Sequence, residues 1–213
     1  MSPSRMIALP KGLTAGAAAG MRLDNWRVER PEQRRVLSEV GDWYFAWLYG
    51  QLAPGQEWLY LHGPFGVGKT HIAVGLLYEM VMSSTWAPKA AMLNWATHIE
   101  QALEQMNSGR NDADREIAAA READVLLLDD LDKADGSRFT LRRLYGLIDA
   151  RLMAGRTTLI TANRPMADLL THWVTTARAE ERAQVADRAG AVVERLAQCC
   201  QELAFTGWSY RLG

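Results

Sequence analysis

The stretch "LHGPFGVGKTH", residues 61–71, decides the fold class of this chain. It carries the pattern Gly-x-x-x-x-Gly-Lys-Thr, whose glycines let the backbone curl until consecutive N–H groups point inward at phosphate oxygens. Lys69 can reach the β- and γ-phosphates of a nucleoside triphosphate, and the Thr70 hydroxyl can ligate Mg²⁺. The predicted nucleotide-binding loop consists of Gly63, Pro64, Phe65, Gly66, Val67, Gly68, Lys69, Thr70 and His71.

The residues on either side of the loop have the context that this pattern requires. "EWLYLHG" (57–63) is a short aromatic and aliphatic run closed by glycine, which predicts a buried strand. A helix is predicted to begin at Lys69, with apolar residues on its inner face and its positive end directed at the bound anion. Strand, glycine-rich loop and helix together predict a nucleotide site rather than an ordinary turn.

Strands and helices alternate along the rest of the chain. Strands are predicted at 57–63, 89–95, 124–130, 157–163 and 202–207. This alternation predicts an α/β three-layer sandwich of the P-loop NTPase class with a five-stranded parallel sheet, whose ligands bind at the carboxyl ends of the strands. Residues 1–20 are rich in Gly, Ala, Ser and Pro and show no period, so we expect a flexible tail followed by one domain over 21–213.

Two further strands end in polar residues. "VLLLDDLD" places Asp129 at a strand tip, where one carboxylate can hold Mg²⁺, and Asp130 beside it can polarise an attacking water. "TLITANRP" ends its strand at Asn163, whose amide can donate to the γ-phosphate and accept from that water. Two adjacent carboxylates and an amide can position and polarise a water molecule for attack. A small-molecule kinase should avoid transfer to water, so this combination argues against that class.

Composition excludes several classes of protein. The net charge is −1, so a single chain has no global basic field for nonspecific nucleic-acid binding. Cys199 and Cys200 are adjacent, which suits neither an ordinary disulfide nor a zinc site, and they are predicted to be core residues in a reducing cytosol. No apolar run near the start is long enough for a signal peptide or a membrane span. These features predict a soluble, cytoplasmic protein without a membrane partner.

Four segments together resemble a known family. "LHGPFGVGKTHIAVGLL", "VLLLDDLD", "TTLITANRP" and "VVERLAQ" followed by "GWSYR" are similar to the AAA+ ATPases of the bacterial helicase-loader kind, DnaC and DnaI, and to the related IstB transposition ATPases. The resemblance runs from about residue 21 to the end of the chain. It implies an AAA+ ATPase domain without a separate C-terminal lid, with ATP and Mg²⁺ as the bound ligands.

The resemblance also implies roles for four residues outside the three motifs. Arg195 corresponds to the arginine finger, which reaches a neighbouring subunit's nucleotide, so ATP would lie at subunit interfaces of a self-associated protein. Arg211 resembles a second phosphate sensor, and Asn25 and Trp26 resemble the linker that covers the adenine. Three of them have a structural alternative: a surface charge for Arg195, a chain-end salt bridge for Arg211 and a core aromatic for Trp26.

The leading functional hypothesis is an ATP-driven assembly factor that loads a replicative DNA helicase in DNA replication, with single-stranded DNA as a further partner. One alternative is an IstB-like regulator that delivers a transposase to DNA, and another is a nucleotide-dependent adaptor with little hydrolysis. Loaders of this kind carry a separate N-terminal domain, for which this sequence has room for only some twenty irregular residues. Asp130 has a shorter side chain than a glutamate base would have, which predicts slow ATP hydrolysis. The resemblance implies that a neighbouring subunit completes the active site in trans.

Overall fold

The computed structural model describes residues 7–8, 16, 18, 20–106 and 111–207 of the chain. The strands are β1 (Ile7–Ala8), β2 (Trp58–His62), β3 (Ala90–Asn94), β4 (Val125–Asp129), β5 (Thr157–Ala162) and β6 (Cys200–Ala204). The helices are α1 (Pro31–Leu48), α2 (Lys69–Ser83), α3 (Trp95–Gln105), α4 (Asp112–Glu122), α5 (Arg138–Met153), α6 (Met166–Thr176) and α7 (Arg182–Cys199).

These strands form one parallel sheet in the order β1-β3-β4-β5-β2-β6. The five predicted strands are confirmed, although β6 begins at Cys200, two residues earlier than expected. The two-residue strand β1 was not predicted, because a pair of residues is too short to show a period. Ile7 and Ala8 pair with Ala90 and Ala91, so this part of the expected tail is ordered against the sheet. The domain boundary at residue 20 stays a prediction.

Helices cover both faces of the sheet, as the apolar pattern predicts. Every residue of β4 is buried, and alternate side chains enter different cores because successive side chains of a strand point to opposite faces. Leu126 and Leu128 pack in the core beneath α3 to α7, whereas Val125 and Leu127 pack in the core beneath α1 and α2. The three-layer sandwich is therefore confirmed.

Cys199 and Cys200 are both buried and neither forms a disulfide with a described residue, and their burial agrees with their predicted place in the core. Cys199 ends α7 and Cys200 begins β6 without an intervening loop. In the part of the chain that the structure describes, no helix combines the length and apolar character needed to cross a membrane.

Candidate nucleotide-binding site

A cavity of about 550 Å³ opens at the carboxyl ends of β2, β4 and β5. The residues predicted for the site that line it are Asn25, Trp26, Phe65, Gly66, Gly68, Lys69, Thr70, His71, Asp129, Asp130 and Asn163. Met21, Arg27 and Lys133 also line it and were not predicted. Residues from four separate segments of the chain therefore meet in one place, as expected for the carboxyl edge of a parallel sheet.

Two glycines of the loop are required by close approaches as well as by their backbone angles. Gly63 has φ 146° and Gly68 has φ 92°, a region that side-chain-bearing residues rarely adopt. A Cβ on Gly63 would overlap the carbonyl oxygen of Phe205, and a Cβ on Gly68 would overlap the indole of Trp26. The loop thus lies in direct contact with the segment after β6 and with Trp26.

Lys69 occupies the centre of the site. Its Nζ donates to the carbonyl oxygens of Gly63, at 2.8 Å, and Pro64, at 2.7 Å, and to Oδ1 of Asn163, at 3.2 Å. Burial lowers the pKa of Lys69, and the negative charge of Asp130 opposes that effect. The ammonium is therefore held between the loop and the end of β5, where phosphate oxygens are predicted to bind.

Asp129 is buried at the tip of β4 and contacts the loop helix. Its Oδ1 accepts hydrogen bonds from the hydroxyls of Thr70, at 2.9 Å, and Thr161, at 2.6 Å. Burial raises the pKa of Asp129, and the adjacent charge of Asp130 raises it further. A bound cation would relieve both effects because it favours the ionised carboxylate.

The oxygen donors of Thr70 and Asp129 fit Mg²⁺, which prefers oxygen ligands and usually takes the rest of its shell from substrate phosphates and water. Within the described residues, no group of three or more His, Cys, Asp or Glu side chains is placed to hold a metal ion by itself. These two residues would therefore hold the ion only together with a nucleotide, whose phosphate charge the ion would help to neutralise.

Asp130 has a backbone conformation that is unusual for a residue with a side chain. Its φ of 57° and ψ of 45° are left-handed, which costs about 1–2 kcal/mol for an L-residue. Its N–H donates to Thr161 Oγ1 at 3.0 Å, and its carboxylate accepts from Asn94 Nδ2 at 3.3 Å and pairs with Lys133. These contacts stabilise the left-handed conformation of Asp130 and direct its carboxylate into the cavity.

Asn94 and Thr161 belong to the site but were not predicted. Asn94 Nδ2 also lies 3.4 Å from Asp129, so this amide spans both carboxylates. The signal for Asn94 was present, because it ends a strand just as Asn163 follows one. Thr161 gave no such signal, because threonine is one of the residue types that are enriched in strands for reasons unrelated to a site.

Asn163 lines the cavity as predicted, with its side chain held from two sides. Its Oδ1 accepts from Lys69, while its Nδ2 and its backbone N–H point to Oδ1 of Asp132, at 3.3 Å and 2.9 Å. Asp132 lies within the quoted acidic motif but was not predicted to be part of the site.

The linker before α1 forms one wall of the cavity. His71 Nε2 lies 2.9 Å from the carbonyl oxygen of Arg22 and 2.8 Å from Oδ1 of Asn25. Both partners are acceptors, since Asn25 Nδ2 donates to Gly20, so Nε2 carries the hydrogen and ties the linker to α2. A contact of Asn25 with adenine stays a prediction.

Trp26 combines the two readings that the sequence left open. It is buried in the core beneath α1 and α2 and meets Phe205 edge to face, with ring centroids 6.2 Å apart. It also lines the cavity next to Gly68. Its predicted role in covering the base is therefore compatible with its place in the core.

Arg195 is absent from the described residues that line the cavity, and its Nε lies 2.9 Å from Oδ1 of Asp149. Its guanidinium also lies 4.5 Å from the ring centroid of Tyr145. Arg211 lies outside the described residues. A role for Arg195 at a neighbour's nucleotide stays a prediction.

The chain is similar in sequence to ATP-binding proteins of insertion sequences. Residues 53–213 match the model of the IstB-like ATP-binding protein family. An IS21-like insertion-sequence ATP-binding protein of Bacteroides fragilis is 32% identical over 158 residues, which cover 72% of this chain and 52% of that protein. An insertion-sequence ATP-binding protein of Mycobacterium tuberculosis is 30% identical over 110 residues, 51% of this chain and 41% of that protein. The matched part is thus about half the length of these relatives.

Solved structures extend the likeness to the fold. The crystal structure of DnaI has a TM-score of 0.70 and 18% identity, and the match covers 94% of this chain and 97% of that one. The DnaC helicase loader has a TM-score of 0.64 and 22% identity, covering 90% and 100%. At these identities the comparison concerns the fold alone, and it confirms the expected α/β P-loop architecture.

Proposed function

The chain belongs to the family of IstB-like ATP-binding proteins, and on that premise we propose that it is an AAA+ ATPase whose ATP hydrolysis drives an assembly step on DNA. The convergence of Lys69, Thr70, Asp129, Asp130 and Asn163 on one cavity supports this proposal most strongly. These residues come from two strand ends and one helix start, so their meeting does not follow from any single motif.

Each of these residues has a role that its contacts suit. Lys69 would exchange its carbonyl partners for the β- and γ-phosphates, whose charge it neutralises. Asp130 is the base that polarises the attacking water, since its carboxylate is directed into the cavity by Asn94 and Lys133. An aspartate reaches less far than a glutamate, which suits a slow switch better than a motor.

We infer that subunits assemble with ATP at their interfaces. Arg195 lies on α7, outside the cavity of its own chain, and its guanidinium is held by Asp149 and Tyr145. A guanidinium is permanently charged and can stabilise charge that develops on the transferred phosphoryl group. In this proposal Arg195 supplies that charge to the neighbouring subunit, and hydrolysis depends on assembly.

For the partner, we favour a transposase on DNA over a replicative helicase, which reverses the order expected from the sequence. The relatives that share 30–32% identity are insertion-sequence proteins. The helicase loaders share the fold at 18–22% identity, and this likeness keeps helicase loading as the second candidate. Single-stranded DNA is a further proposed ligand in either case.

ATP turnover by the purified chain, with and without DNA, tests the enzymatic part. Lys69→Ala should lose both ATP binding and turnover, whereas Lys89→Ala, which removes an exposed lysine immediately before β3, should retain both. Tight ATP binding without turnover by the wild-type chain would instead favour the adaptor. Pull-down against a purified insertion-sequence transposase and a purified replicative helicase then separates the two partner candidates.

A further inference from the structure

Asp132 is a buried charge that the proposed reaction does not use. Its side chain is fully buried in the single turn Leu131–Lys133 that follows β4. One oxygen accepts from the backbone and side chain of Asn163, and the other pairs with Arg164 at 2.8 Å. A buried carboxylate is costly to desolvate, and apolar residues often replace such pairs without loss of stability. Stability is therefore not a sufficient reason for a buried carboxylate at this position.

The contacts of Asn163 determine which way its amide faces. On one side lies Lys69 Nζ, which can only donate, and on the other lies the Asp132 carboxylate, which when ionised can only accept. Only one of the two amide orientations satisfies both neighbours. The reverse orientation would place the NH₂ group against an ammonium and the carbonyl oxygen against a carboxylate.

The chemical consequence is that Asn163 presents an acceptor to the cavity. With its NH₂ group held by Asp132, its carbonyl oxygen faces Lys69 and the space beyond it. An oxygen there can accept a hydrogen bond from a water molecule, whereas an NH₂ group would instead donate to a phosphoryl oxygen. The sequence alone left both uses open.

We propose that Asp132 is a positioning residue for ATP hydrolysis, which holds the Asn163 amide so that its carbonyl oxygen accepts from the attacking water. This role rests on the proposed hydrolysis at the same site. Asp132 does not line the cavity, so its proposed effect on the attacking water passes through Asn163, which it contacts directly. A purely structural role would lower stability without a selective effect on kcat.

The test combines Asp132→Asn and Asn163→Ala as single variants and as a double variant. Asp132→Asn keeps the shape of the side chain but gives Asn163 a neighbour that can donate or accept, so the amide orientation is no longer enforced. We expect kcat to fall on the order of 10-fold to 10²-fold with ATP affinity unchanged. The double variant should be no slower than Asn163→Ala, because the first change acts through the residue already removed.

Asp135→Asn is the matched control. It removes the same charge three residues along the segment, where the carboxylate accepts from Thr140 and does not contact Asn163. Its kcat should stay at the wild-type value. An unchanged kcat in Asp132→Asn, or an equal further loss in the Asn163→Ala background, would overturn the role of Asp132.

Two outcomes separate this proposal from the one on which it rests. If the wild-type chain binds ATP without turnover, the proposed hydrolysis fails and the positioning role fails with it. If turnover is present and depends on Asn163 but not on Asp132, only the positioning role fails.

A measurement on the wild-type chain does not depend on the stability of Asp132→Asn. The Asn163 side-chain NH₂ resonance, assigned by its loss in Asn163→Ala, should keep its chemical shift when a non-hydrolysable ATP analogue binds, because Nδ2 faces Asp132. A large shift on binding would show that the NH₂ group faces the nucleotide and would contradict the proposal.

Discussion

The Nε of Arg195 lies 2.9 Å from Oδ1 of Asp149, and the same guanidinium lies 4.5 Å from the ring centroid of Tyr145. Asp149 and Tyr145 lie on α5 and Arg195 lies on α7, so the guanidinium is held where these two helices pack together. Both groups of the ion pair are partly exposed, and such a pair contributes little stability. Its consequence is geometric, because the guanidinium is held outside the cavity of its own chain.

This relationship leads to a prediction about mixed assemblies. Arg195→Ala should bind ATP normally but not hydrolyse it, and Lys69→Ala should do neither. A mixture of the two variants creates interfaces with an intact Lys69 and an intact Arg195, so we expect part of the ATP turnover to return. Turnover measured across mixing ratios provides the check.

Arg188→Ala is the control for that experiment. Arg188 lies on α7, as Arg195 does, and its guanidinium is 5.7 Å from the ring centroid of Tyr145. We expect Arg188→Ala to hydrolyse ATP at the wild-type rate. If no mixing ratio restores turnover although both variants fold and co-assemble, Arg195 acts within its own chain or not at all.

Replacement of Asp130 should separate binding from chemistry. Asp130→Asn keeps the shape and one acceptor oxygen but loses the charge that polarises water. We expect ATP affinity to survive and turnover to fall on the order of 10²-fold or more. Calorimetric titration with ATP and a phosphate-release assay give the two quantities. Parallel loss of both would identify Asp130 as a metal ligand instead of the base.

The contact between His71 and the linker predicts an effect on ATP affinity. His71→Ala removes the donor that holds Arg22 and Asn25, and a net hydrogen bond of about 1 kcal/mol corresponds to a roughly 5-fold weaker affinity for ATP. His71→Gln places an N–H near the position of Nε2 and should recover most of the loss. Equal affinity in all three proteins would mean that this linker is not a wall of the ATP site.

Gly63 should tolerate no side chain. A Cβ there would overlap the carbonyl of Phe205 and would require a rare backbone conformation, so Gly63→Ala should lower the free energy of unfolding by about 2 kcal/mol or more. Gly190→Ala is the matched comparison, since Gly190 lies within α7 with open space around its Cα. That change should stabilise by roughly 0.4–1 kcal/mol. Urea denaturation distinguishes the two, and equal effects would contradict the close approach.

The local pattern of the sequence was sufficient for the fold class and for the nucleotide loop. Apolar runs closed by glycine or by acidic residues marked β2 and β4, because a strand buried on both faces has few polar positions, and β-branched residues marked β5. The loop follows β2 and opens α2, so the roles predicted for Lys69 and Thr70 depend on neighbours close in the chain. Asp129 and Asn163 could be predicted because they mark strand ends, which meet at one edge of a parallel sheet.

Only the tertiary structure decided which side chains touch across that edge. Asn94 lies beside Asp129 because β3 and β4 pair in register at those two residues, and a shift of the register would separate them. Asp132 contacts Asn163, 31 residues later, because β5 lies next to β4 in the sheet. The tether of Arg195 to Asp149 likewise depends on the packing of α7 against α5. The spacing of apolar residues shows which face of a strand or helix is buried. Strand order, register and helix packing determine which residues that face contacts.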